Sequence, residues 1–327
     1  MDAARRHRGE GVTVQRWMRA PALAGALVLL AVAPAIACGG DDDAAAPASG
    51  DAAYPVTATA LPGRSVAIEA APEGLVTTSP SAIELLADVG GTAIARSSTA
   101  TAVPGAAELA DIGPSYQPSF EQIVALDPDL VIADASAQAH LAGAFEEALG
   151  GTPTLFVGAR AYADLAASAR ILGAAIAAPE QAEESASAFE AVAREVGGGA
   201  GASPRVLVLV AGRDGTLSAA LGASFVGDLV ALLGGDNVAA ALPQSGPVPG
   251  YALISPESIV SFDPEVLLVV TPGGGPSIAG IVSAQLPELA AVRSGRIHEL
   301  DLEVYLQVPG PRAREGLRAL ASLLHPG

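Results

Sequence analysis

Few side chains in this sequence are spaced for covalent chemistry. The best foothold is Ser277 within Gly275-Pro276-Ser277-Ile278-Ala279, followed along the chain by Asp301 and His325. That is the order in which α/β-hydrolases carry nucleophile, acid and base. Such an elbow needs its serine on a tight turn directly off a strand. Here residues 271–276 intervene after the apolar run 266–270, and Ala279 stands where the closing glycine belongs. Lysine is absent, so all 17 basic residues are arginine. This removes P-loop nucleotide binding, Schiff-base chemistry and Ser-x-x-Lys catalysis, each of which needs an amine. A zinc or manganese receptor wants about three histidines and a carboxylate, and beyond residue 53 there are only His140, His298 and His325. The readings as a secreted hydrolase or as a free Zn/Mn-ion receptor each rest on these few residues. The formal net charge of −18 argues against nucleic acid, whose phosphates require a basic face.

Two glutamates stand out through repetition. Residues 119–133 read SFEQIVALDPDLVIA, and residues 255–269, displaced by 136, read SPESIVSFDPEVLLV, with six of fifteen positions identical. In each copy a serine, Ser119 or Ser255, sits where a helix N-cap belongs, and Glu121 or Glu257 follows near the positive helix end. Ile123-Val124 and Ile259-Val260 are expected to face the core. Asp127-Pro128 and Asp263-Pro264 stop each helix and turn the chain into a strand. A helix–turn–strand unit repeated in each half implies two similar lobes with a ligand site between them. Interaction with the helix dipole is sufficient for either glutamate alone, but does not explain why both copies carry one.

The elements that position these groups follow from patterning. Residues 1–37 carry Arg5, Arg6, Arg8, Arg16 and Arg19 ahead of the apolar run ALAGALVLLAV (22–32), too short to span a bilayer, and read as an export signal. Small residues lead to Cys38, the only cysteine, as in a bacterial lipobox, with Ala35 in place of the usual leucine. Cys38 is then the lipid-modified first residue of the mature chain, and no internal disulfide is possible. Residues 38–53 are small, acidic and proline-broken, a flexible tether. From residue 54 apolar runs alternate with helical patterns. An N-terminal α/β lobe (54–178) contains the run 130–134, which fits a covered parallel strand. Residues 179–197 form one long helix with proline at its start and glycines at its end, and residues 203–327 form a second α/β lobe opening with RVLVLVA (205–211). The fold class is α/β, two Rossmann-like lobes with parallel sheets joined by a single long helix.

The order of these phrases resembles the substrate-binding lipoproteins of ABC importers for iron-siderophores, haem and cobalamin, the class III periplasmic binding proteins. The resemblance runs from residue 54 to residue 325. It includes YPVTATALPGRSVAIEAAP (54–72), VTTSPSAIELLADVG (76–90), both E-x-I-V-x-x-D-P units, SFVGDLVALLGGDNVA (224–239) and PGPRAREGLRALASLLHP (309–326). Departures are Gly74-Leu75 in place of a basic-plus-aliphatic pair, and the lack of an aromatic in 101–107. The resemblance implies a monomeric, non-enzymatic receptor without a cofactor, anchored by its lipid on the outer face of the cytoplasmic membrane. It implies capture of a metal chelate in the interlobe cleft and delivery to a permease dimer with a cytoplasmic ATPase. Glu121 and Glu257 match the family's permease-docking positions, where they meet arginines.

By the same family pattern, and by the general rule for open parallel sheets, the cleft is lined by loops at the carboxyl ends of strands. Those loops hold Ser79, Ser98, Ser115, Tyr116, Arg160, Arg213, Ser224, Phe225, Tyr251, Tyr305 and Gln307. Ser115 stands where hydroxamate-siderophore binders carry arginine. Tyr251 matches a phrase of haem binders in which tyrosine ligates iron, though Ala252 replaces the basic residue that follows. His140 would then be the second axial ligand, and a surface histidine is the alternative. Tyr251 is equally open to a stacking role against a corrin or catecholate. Arg312 either caps structure near Pro309-Gly310-Pro311 or contacts the ligand.

Overall fold

The computed structural model describes residues 54–326, apart from 61–62, 102, 198–202, 213–214, 247, 272–276 and 308. An antiparallel hairpin, β1 (Val56–Ala60) with β2 (Arg64–Ile68), precedes the first lobe. The lobe then runs β3 (Leu75–Thr77), α1 (Pro80–Asp88), β4 (Ala95–Arg96), β5 (Ala110–Asp111), α2 (Phe120–Ala125), β6 (Leu130–Asp134), α3 (Ala142–Leu149), β7 (Thr154–Val157) and α4 (Ala163–Ala175). Its five strands are all parallel, in the order β5-β4-β3-β6-β7. Every residue of β3 and β6 is buried, as expected of parallel strands covered on both faces.

One helix, α5 (Pro179–Val196), leads to the second lobe. Its acids face water, while Ala182, Ser185, Ala186, Phe189 and Val192 are buried. It packs along α4 so closely that a Cβ on Gly173 would collide with the Cβ of Ala182. The second lobe runs β8 (Arg205–Ala211), β9 (Leu217–Ala220), α6 (Phe225–Leu232), β10 (Asp236–Asn237), β11 (Tyr251–Leu253), α7 (Pro256–Phe262), β12 (Val266–Val270), α8 (Ile278–Gln285), α9 (Ala290–Arg293), β13 (Ile297–Leu300), a π-turn at Glu303–Gln307 and α10 (Ala313–Leu324).

The expectation of a wholly parallel second sheet is corrected here. β10 and β8 pair in parallel, as do β8, β12 and β13, but β9 folds back antiparallel on β8 and β11 antiparallel on β9. The short connection from Ala211 to Leu217 leaves no length for a crossover helix, so a hairpin is the only pairing available. Alternation along β8 divides the core: Val206 and Val208 join the large cluster shared with α1, α4, α5 and α10, whereas Leu207 and Leu209 face a second cluster with Ile259 and Val282. One apolar cluster thus runs through both lobes.

The repeated units superpose in role as well as in letter. Ser119 Oγ accepts from Gln122 N and Ser255 Oγ from Ser258 N, both at 3.4 Å, so each serine is the N-cap. Asp127 and Asp263 end their helices at φ of 48° and 39°, left-handed conformations that aspartate tolerates better than most side chains. The acid two residues later clamps the lobe's first parallel strand. Asp129 Oδ2 accepts from the amides of Glu73 and Gly74 at 2.9 and 2.8 Å, and Glu265 Oε2 accepts from that of Arg205 at 2.9 Å. Ile123 and Ile259 are buried as expected. Val124 and Val260 are not, since each is 51% exposed. Helices of six and seven residues present only a narrow stripe to the sheet, and the isoleucine occupies it.

Candidate functional site

The carboxyl ends of the first lobe's strands look toward the second lobe. After β7, the amide of Tyr162 donates to Asp228 Oδ2 of α6 at 2.7 Å. After β3, Ser81 Oγ donates to the carbonyl of Pro309 at 2.7 Å, and Glu84 of α1 receives both Nε and Nη2 of Arg312. Arg314 of α10 pairs with Asp88 of α1 and lies 4.6 Å over the Phe189 ring of α5. Arg318 pairs with Glu195 of α5. The final helix therefore straps the second lobe to α1 and α5 along one line.

The floor of the first lobe's rim is organised by a residue that no sequence signal marks. Gln138 is 1% exposed and uses its whole amide. Its Nε2 donates to the carbonyls of Thr78 (3.2 Å) and Ser115 (2.6 Å), and its Oε1 accepts from Asp134 N (2.8 Å) and Thr78 Oγ1 (2.6 Å). The ends of β3 and β6 are thereby joined to the loop 113–118. Asp134, buried at the end of β6, accepts through Oδ1 from the amides of Ser136 and Ala137 and from Ser136 Oγ. Tyr116, held in that loop, is 78% exposed. Ser98 is half-buried and its amide is bonded to Gly113 O. Arg160 is exposed, anchored by its amide on Asp164, and its guanidinium makes no ion pair among the described residues. Ser98, Ser115, Tyr116 and Arg160 thus lie on loops at one end of one sheet.

Other candidates hold structure instead. Ser79 is buried and caps α1 through Ala82 N, and Ser224 caps α6 through Gly227 N. Phe225 is 7% exposed within the shared core. Tyr305, 5% exposed, donates its hydroxyl to Gly316 O, and burial, aided by Asp301, pushes its pKa up to about 12. Gln307 is exposed at the end of the π-turn. Arg312 is an ion-pair centre, between Glu84 at 2.8 Å and Glu303 at 2.9 Å. Arg213 and Cys38 lie outside the described residues, as do the signal and tether segments. Tyr251 is 6% exposed at the start of β11, and burial raises its phenol well above the ordinary range despite a hydrogen bond with Ser224. That works against a phenolate ligand for iron. His140 is exposed on a 3-10 turn, Ala139–Leu141, of the other lobe.

The hydrolase and free-ion readings lose their footing in this geometry. Ser277 caps α8 and donates to Glu299, Asp301 Oδ1 accepts from Val304 N, and His325 Nε2 is bonded to Leu233 O at 2.7 Å. The three groups of the serine trio are each engaged elsewhere. Among the described residues no group of three or more His, Cys, Asp or Glu is placed to hold a metal ion. Glu121 and Glu257 stand exposed at matching positions on α2 and α7. The side chain of Ser255 and Glu257's own backbone amide hold the Glu257 carboxyl below its usual range.

Two α/β lobes on one connecting helix, strapped by a terminal helix, give the fold of class III periplasmic binding proteins. Residues 75–304 match the family described as periplasmic binding protein, and the chain belongs to that family. Its members are extracytoplasmic binding proteins rather than enzymes, and they include substrate-binding components of ABC importers. A cobalamin-binding protein of Halobacterium salinarum is 27% identical over 285 residues, covering 83% of this chain and 74% of that one. The periplasmic haem-binding protein RhuT of Roseiflexus sp. RS-1 is 28% identical, with TM-score 0.62, over 77% of this chain and 97% of its own. The petrobactin-binding protein YclQ of Bacillus subtilis has TM-score 0.69 at 19% identity, over 83% and 99% of the two chains, and supports the fold alone.

Proposed function

We propose that this chain is the lipid-anchored receptor of an ABC importer, a non-enzymatic monomer that captures a tetrapyrrole-type metal chelate between its lobes, a corrinoid in first place. Tyr116 carries the reading. A ring 78% exposed, on a loop fixed by Gln138, offers a flat apolar face to a flat macrocycle. The first lobe's loops 97–101, 112–118 and 135–138 carry no charged side chain and loop 158–161 carries Arg160 alone, which suits amide-rich corrinoid edges better than a polyanionic siderophore. A corrinoid brings its own axial ligands to cobalt, so the buried, un-ionised state of Tyr251 does not count against it as it counts against haem. The identities with a cobalamin-binding and a haem-binding protein support the same ligand class.

Lipid attachment at Cys38 would hold the body at the outer face of the membrane, and Glu121 and Glu257 would dock it on the two halves of a permease. Titration of the full chain with cyanocobalamin, hemin and a ferric catecholate tests the ligand. Saturable binding of cyanocobalamin, weakened at least tenfold by Tyr116→Ala, is expected. Binding of the catecholate alone would refute the corrinoid assignment. Reversal of both charges, Glu121→Lys with Glu257→Lys, should abolish uptake and leave chelate binding intact.

A further inference from the structure

Six positions are identical between the two repeated units, and folding accounts for four of them. Ser119 and Ser255 cap helices, Ile123 and Ile259 fill the core, Asp127 and Asp263 take left-handed turns, and Pro128 and Pro264 are buried behind them. The two identities left over are Glu121/Glu257 and Val124/Val260. Both are exposed, and they lie three residues apart on one helix, where side chains are surface neighbours. Large apolar side chains this exposed are few among the described residues, yet two of them fall at equivalent places in separate lobes, each beside a carboxylate that makes no ion pair among the described residues.

We infer that each lobe docks through a composite contact, a carboxylate with a valine beside it, onto an apolar shelf adjoining a cation on each half of a two-fold permease. The inference rests on the proposed function and adds the chemistry of the partner's surface. Duplication of the pair argues for a partner with two equivalent faces. The carboxylate fixes its charge, and the valine demands a dry contact around that charge. Excluding water there strengthens the ion pair, which on an open surface would be weak. The carboxylate steers approach and the valine slows release.

The test uses the detergent-solubilised, radiolabelled full chain and right-side-out membrane vesicles from the producing cell deleted for this chain's own gene. Val124→Ser with Val260→Ser should weaken vesicle binding at least tenfold at every salt concentration, about 1.4 kcal/mol, with the salt dependence retained. Val124→Ile with Val260→Ile should bind at least as well as wild type. Glu121→Gln with Glu257→Gln should flatten the salt dependence. Wild-type binding by the serine variant, with the glutamine variant impaired, would overturn the composite contact and leave the docking glutamates standing. Wild-type chain binding no better than the glutamine variant would overturn both. Because both valines are half in water, unaltered thermal melts are expected for the serine and isoleucine variants.

Discussion

Arg312→Met removes the guanidinium at the centre of the strap while keeping most of its volume. In the wild type, Arg312 meets Glu84 at 2.8 Å through Nη2 and Glu303 at 2.9 Å through Nη1, with the Glu84 side chain only 12% exposed and that of Arg312 35%. An open surface pair contributes about 0–1 kcal/mol, and breaking a fully buried one costs about 3–5 kcal/mol because a charge is left without a partner. With one partner nearly buried and the other a third exposed, about 2 kcal/mol is expected. At about 2–4 °C per kcal/mol for a domain approaching this size, the melting temperature should fall by roughly 4–8 °C. Burial already holds the Glu84 carboxyl above its ordinary value, against the pull of Arg312. Without the arginine it rises further, so the folded variant binds a proton more readily than the unfolded chain. The penalty is therefore full above the raised pKa and disappears as pH falls toward the unfolded value near 4.5. Urea unfolding of wild type, Arg312→Met, Glu84→Gln and the double variant, at pH 8 and pH 5, measures this. The double variant should recover much of the loss. A loss under about 0.5 kcal/mol, or one independent of pH, would refute the assignment of Arg312 as a buried interlobe strut.

Gln138→Leu should cost about 1–3 kcal/mol by orphaning backbone groups of Thr78, Ser115 and Asp134, and should weaken chelate binding beyond the effect on stability, as titration below the melting range would show. Asp129→Ala should destabilise the fold at neutral pH only. The amides of Gly74 and Glu73 hold the Asp129 carboxyl below its ordinary 3.8, so its contribution is present above that value and is lost as pH falls through the lower folded pKa. Melting curves of the two proteins should converge below pH 4, and a constant gap down to pH 3 would contradict the clamp.

Much of the architecture was legible because its signals are local. Pro179 and Gly197 bound α5 as the sequence pattern predicts, and the run 205–211 is β8 to the residue. Hidden elements were those whose cause is tertiary. β9 and β11 are three or four residues long with little alternation, and only pairing with β8 makes them strands. The valines after Ile123 and Ile259 carry the same apolar signal as core residues, yet helices this short turn only one of each pair inward. Site residues were the least legible. Ser79, Ser224 and Tyr305 occupy the right loops but spend their hydroxyls on helix ends, and Gln138, which no motif marks, ties three segments together.

Loop position alone cannot separate a ligand contact from a cap, because parallel α/β lobes place helix N-termini and ligand loops at the same edge. What separates them is whether the polar atom is already satisfied. By that measure Tyr116 and Arg160 have capacity left for a ligand, whereas Ser79, Ser224, Tyr305 and Arg312 have little. The repeat sorts the same way. Its buried or capping identities build the lobe twice, and its exposed ones, a carboxylate and a valine one turn apart, are what the proposed docking would use. On the proposed reading the chelate contacts then lie outside the repeated unit, on Tyr116 and Arg160 of the first lobe's rim. On the proposed function the receptor would dock through duplicated positions and grip through unduplicated ones.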